Sequence, residues 1–235
     1  MEEFYIERKK EKIGKFEVFF THFIESFIKE SEKLYRKWEE YPFIHSERKL
    51  NTILAPTFCD MKMKNPNLEI EVFYELPFKS NDKSQRFLDY YIEYDNDIYL
   101  IELKHAWQNF KMDGDINTNE HTDKVWEKSI EQIQTLSKTA VKQIVDGKDN
   151  IYRVALMVMP IWSQKIPDKK VISPKSYAQG LMKEFDKWTS KKYKANFIGV
   201  WKIKKFDTKG HEFEKNRNEY YPYVSFIAKV EPIWS

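Results

Sequence analysis

Asp89, Glu102 and Lys104 are the residues of this 235-residue chain whose types and spacing could do chemistry. They lie in RFLDYYIEYDNDIYLIELKHAW, which reads as an apolar β run carrying Asp89, a polar turn at Asp95, Asn96 and Asp97, and a second apolar run carrying Glu102 and Lys104. Alternate residues of a strand share a face, so Glu102 and Lys104 project together while Leu103 turns the other way. A return through the turn can lay Asp89 beside them. Two carboxylates converging at a strand end form a hard-oxygen site suited to Mg²⁺, with Mn²⁺ able to substitute. The Lys104 ammonium can then orient or help deprotonate an attacking water. A Glu-x-Lys triplet also fits a solvated edge with an ion pair of little energetic value. The run Ile98-Tyr99-Leu100-Ile101 before it is too apolar for an open edge, which favours a sheet end or a cleft.

The elements that must position these residues follow in order. Residues 46–54 read as a helix with Glu47 in its first turn, 68–76 as a strand, 125–133 as part of a helix, and 152–159 as a strand. Helix, three strands, helix, strand, with an Asp on the second strand and Glu-x-Lys on the third, resembles the PD-(D/E)xK nuclease superfamily. The resemblance covers residues 46–160 and implies a restriction-endonuclease-like α/β fold, an αβββαβ core with a mixed central sheet. In that likeness Asp89 and Glu102 are metal ligands, Glu47 matches the Glu of the first helix, and Lys104 matches the motif lysine. Leu88 stands where the motif name has Pro. Glu47 can equally be a first-turn acid complementing the helix dipole. Gln132 is similar to a helix Gln that lies near the metals in some branches of the family, and is also an ordinary polar helix position. The activity implied is Mg²⁺-dependent phosphodiester hydrolysis, foremost by a DNA endonuclease of a restriction, phage-defence or repair system. The competing reading is a silent module that binds nucleic acid or scaffolds a larger complex, against which the intact Asp89, Glu102 and Lys104 argue.

Composition sets the wider bounds. One domain is expected, with a helical extension over 1–42, a core over 43–160 and an α/β extension over 161–235. Residues 13–38 carry Phe16, Phe19, Phe20, Phe23 and Phe27 at helical steps, a stripe for core packing or for a homodimer or partner-subunit contact. Past the core, a loop over 163–170, a helix over 174–188 and strands over 195–203 and 221–230 are expected. Cys59 is the single cysteine, which excludes an internal disulfide and a Cys-based zinc cluster. No apolar run reaches membrane-helix length and the start lacks a signal-peptide core, so a cytoplasmic location is expected.

Forty Lys+Arg against 37 Asp+Glu leave the chain only slightly basic. Lysines gather at 165–170, 187–194 and 202–205, interleaved with Trp188, Tyr193, Trp201 and Phe206, which could stack on bases or fill core. Among the five histidines there is no H-E-x-x-H. His105 follows Lys104, faces away from it, and is a candidate for substrate contact. The polar stretch 111–120 is expected to border the cleft, and Asp113 and Asp115 lack the spacing of a calcium loop. The absence of Walker A, G-x-G-x-x-G and G-x-S-x-G patterns sets aside ATPase, dinucleotide enzyme and serine hydrolase.

Overall fold

The chain runs β1 (Phe4–Arg8), α1 (Phe16–Trp38), α2 (Glu47–Lys64), β2 (Ile70–Lys79), β3 (Gln85–Tyr94), β4 (Asp97–His105), β5 (Gln108–Asn109), α3 (Glu120–Gln134), α4 (Lys138–Val141), β6 (Ile151–Ser163), α5 (Pro174–Asp186), β7 (Phe197–Lys202), β8 (His211–Glu214) and β9 (Arg217–Pro232). The computed structural model describes residues 3–9, 13–80, 84–111, 115–145, 150–167, 172–204, 211–214 and 217–234. Strands order as β1-β7-β9-β6-β4-β3-β2, with β5 added to β6 and β8 to β9. The sheet is mixed and mostly antiparallel. The parallel exceptions are β4 with β6 and β5 with β6. A parallel neighbour needs a crossover, which α3 and α4 supply. Among the described residues no helix is long and apolar enough to cross a membrane.

Helices cover both faces, and β4 in the middle is apolar on each. Tyr99, Ile101 and Leu103 join the cluster under α1 and α2, while Ile98 and Leu100 join the opposite cluster with Val141 of α4. The β3–β4 turn places Asp95 and Asn96 at φ 47° and 69°, the left-handed pair that a two-residue hairpin requires.

The phenylalanine stripe of α1 is core. Phe16, Phe19, Phe20, Phe23 and Phe27 are all buried, with Phe16 5.3 Å from the Tyr99 ring and Phe27 5.0 Å from Phe226. Gly199 lets the helix settle on the sheet, because a Cβ there would collide with Ile24. The stripe weighed as a homodimer or partner surface is therefore used within the monomer. The physical reason is the broad apolar sheet face formed by Tyr94, Tyr99, Phe197 and Phe226, against which all five phenylalanines are buried.

Two other expectations change, and one open alternative is decided. The helix expected over 46–54 runs on through Pro56 to Lys64, because Phe58 and Met61 continue its buried face. β1 is an additional, half-buried strand paired with β7. Trp201 is fully buried, and Trp188 packs on Tyr193 at 5.3 Å against the cluster under α3 and α5, so these aromatics fill core. Lys169, Lys170, Lys205, Phe206 and Asp113 lie outside the described residues.

Candidate active site

β3 and β4 form a ladder only from Tyr90/Ile101 to Tyr94/Asp97. Beyond that point β3 stays with β2 as far as Gln85, and β4 stays with β6 as far as His105, so the two strands fork. Even-numbered N–H groups of β4 turn toward β6, as Ala106 shows by donating to Val158 O. The N–H groups of Leu103 and His105 therefore point into the fork, where no strand remains to accept them. Asp89 meets the first: its Oδ2 accepts from Leu103 N at 2.7 Å. Ser46 caps α2 by accepting from Lys49 N, which starts the helix at Glu47 and brings that carboxyl within reach of the His105 N–H. Opposite Asp89, β2 carries Glu75 at φ 54°, a strained conformation for a residue with a side chain.

Lys104 Nζ donates to Glu102 Oε1 at 2.5 Å and to Leu103 O at 3.0 Å. Glu102 is buried, Asp89 and Lys104 are half-buried, and Glu47 is open to solvent on one side while the cleft wall desolvates the other. Burial, then the neighbouring Asp89, pushes Glu102 up to about 7, against the pull of Lys104. Burial also raises Asp89, opposed by the Leu103 N–H and Lys104. Glu47 is raised by desolvation, with Lys104 opposing and Asp89 assisting. For Lys104, burial disfavours the ammonium, but Glu102, Asp89 and Glu47 outweigh it and raise the group. The lysine is thus held charged, with two of its three donors committed.

Glu47, Asp89 and Glu102, with Glu75 acting on Asp89, outnumber the cations Lys104 and Lys128 and leave this desolvated corner short of positive charge. A divalent cation corrects that imbalance, so the donor chemistry fits Mg²⁺ or Mn²⁺. Among the described residues no set of three His, Cys, Asp or Glu side chains is spaced to grip one ion together. The paired donors are Asp89 and Glu102, and Mg²⁺ binds through one or two carboxylates while keeping several waters.

Gln132 comes to the same place from α3. It lines a pocket of about 250 Å³ with Glu102, Arg86 and Thr135, and its Oε1 is buried without a hydrogen-bond partner. His105 does not come there. Its ring lies on the α1/α2 face, where Nε2 meets Phe43 O at 2.6 Å and burial pushes the group down to about 4, so it is neutral and anchors the turn at Pro42–Ile44. That placement makes it a core histidine rather than a substrate contact. Sequence reasoning missed Glu75, whose left-handed kink has no signature in a strand-like run. It also missed Lys128, which pulls Glu47 down and lies one turn before Gln132 on α3. The i, i+4 spacing of Lys128 and Gln132 was the available signal. On the α2 side the fork opens into a groove of about 750 Å³ that Glu47, Glu75 and Asp89 border. No family model, curated protein or solved structure matches this chain.

Proposed function

We propose that this protein is a Mg²⁺-dependent nuclease, foremost a DNA endonuclease, built on a restriction-endonuclease-like core. The observation that carries the reading is the fork itself, where Asp89 replaces a ladder acceptor beside a Glu102–Lys104 pair and Glu47 arrives from the preceding helix. The order α2-β2-β3-β4-α3-β6, with an antiparallel meander and a parallel β4–β6 neighbour, supports it. Asp89 and Glu102 would hold Mg²⁺ or Mn²⁺, with Glu47 adding negative charge nearby, and the ion when bound would supply positive charge against the scissile phosphate. Lys104, fixed by Glu102 and Leu103 O, offers its remaining N–H to hold a water in line with phosphorus. That water adds its oxygen to phosphorus as the bond to O3′ breaks and O3′ takes a proton, giving a 5′-phosphate and a 3′-hydroxyl. A restriction, phage-defence or repair role fits such a chemistry.

The test is a cleavage assay on plasmid, linear duplex, single-stranded DNA and RNA with Mg²⁺ or Mn²⁺ titrated in. Metal-dependent hydrolysis of at least one substrate is expected. Inert protein on all four, with either metal, would return the chain to the binding-module reading.

A further inference from the structure

The groove beside Asp89 has a lining that the hydrolytic step alone does not use. Its floor is the cross-strand pair Tyr74/Tyr90, continued by Phe58 at 5.6 Å from the Tyr90 ring, and Tyr90 is fixed by donating to Asn51 Oδ1 at 2.7 Å. Tyr74 is 71% exposed on the edge strand, a large ring with no core to fill. The groove is continuous with the candidate site, since Asp89 and Glu47 are among its walls. Its volume of about 750 Å³ falls in the range that encloses a small organic ligand. Its charge is as informative as its shape: Glu47, Glu75 and Asp89 border it against Lys62. A phosphate backbone is repelled from such walls, whereas a neutral base is not, and its amino and imino N–H groups suit carboxylate acceptors. The phosphate is better placed at the fork, where Lys104 and Lys128 act on Glu47.

We propose that this groove receives one unstacked base of single-stranded DNA, stacked on Tyr74, while the adjoining phosphate lies at Asp89 and Lys104. The proposal rests on the nuclease reading for the position of the phosphate. A closed duplex cannot present a base there without breaking a pair, so the groove selects single strands, ends or melted segments.

Cys59, exposed on α2 and the only cysteine, also lines the groove and reports its occupancy. Alkylation of Cys59 by N-ethylmaleimide is timed in Ca²⁺, with a short oligothymidylate, with a blunt hairpin duplex, or with neither. Protection by the single strand but not by the hairpin is expected. Tyr74→Ala is expected to weaken single-strand binding about tenfold, with Tyr74→Phe close to wild type, because stacking needs the ring and not the hydroxyl. Unprotected Cys59, equal protection by the hairpin, or unchanged binding by a folded Tyr74→Ala would overturn the proposal. The Cys59 reading needs no variant and no turnover. Cleavage of single strands with Cys59 unprotected therefore defeats the groove alone, and protection without cleavage on any substrate defeats the nuclease reading alone.

Discussion

β4 carries two buried carboxylates, Asp97 at its start and Glu102 beyond its pairing with β3, 3% and 6% exposed, and their partners differ in kind. Asp97 Oδ2 accepts from Lys15 N at 2.7 Å and from the Tyr99 hydroxyl at 3.1 Å, donors that belong to fixed parts of the fold. Gly14, at φ 47°, passes so close that a Cβ would strike Asp97 and Tyr152, so the acid pins the chain where it enters α1. Glu102 has one flexible cation, Lys104, and faces a second carboxylate, Asp89, across an open fork. Burial therefore does not distinguish a structural acid from a candidate catalytic one. Its partners do: neutral, rigid donors complete Asp97, whereas Glu102 and Asp89 remain under-neutralised and bordered by cavities.

The strongest break in that comparison is at the fork. Asp89→Asn or Glu102→Gln should lower metal-dependent cleavage by about 10²–10³-fold or more while leaving thermal melting close to wild type, as expected for charged groups aimed at a reacting centre. Rate and melting are measured on the same preparations, and normal rates in both variants would remove the site. Lys104→Met should keep metal and nucleic-acid affinity yet lose on the order of 10² in single-turnover rate. Weaker binding with an unchanged bound-state rate would reduce Lys104 to a phosphate contact.

The other end should respond in stability instead. Asp97→Ala orphans the Lys15 N–H and the Tyr99 hydroxyl and should cost about 2 kcal/mol in urea unfolding, with unchanged cleavage per folded molecule. His105, on the α1/α2 face of the same strand, gives the smallest effect over the first pH unit below 6.5, and it has a sign. Its folded-state group is depressed from 6.5 to about 4, so below pH 6.5 the unfolded chain takes up a proton that the folded chain refuses. Stability from this group is full above 6.5 and falls with pH toward 4, by about 1 kcal/mol over the first unit. His105→Gln should flatten that slope, and an equally steep loss in the variant would assign it elsewhere.

How much of this was legible depends on what each element needs to be recognised. Asp89, Glu102 and Lys104 were readable because strand periodicity and a polar two-residue turn decide which side chains share a face. The apolar stripe of α1 was readable as a stripe, but a sequence states what a face requires and not what covers it. The helix read over 46–54 stopped short, because Phe58 and Met61 continue its buried face past Pro56. β1 is five residues with no fully buried side chain, too weak a pattern to stand out. The fork was invisible, because it arises where pairing stops between Asp89 and Glu102, and neither residue announces a broken ladder.

The most direct test of the account is a calorimetric titration of Mn²⁺ into the wild-type chain near pH 7, repeated in buffers of different ionisation enthalpy. Because Glu102 is pushed up to about 7, the account predicts saturable binding with proton release, and loss of both in Asp89→Asn and Glu102→Gln. Saturable binding that survives unchanged in both variants, or no binding by the wild type, would contradict it.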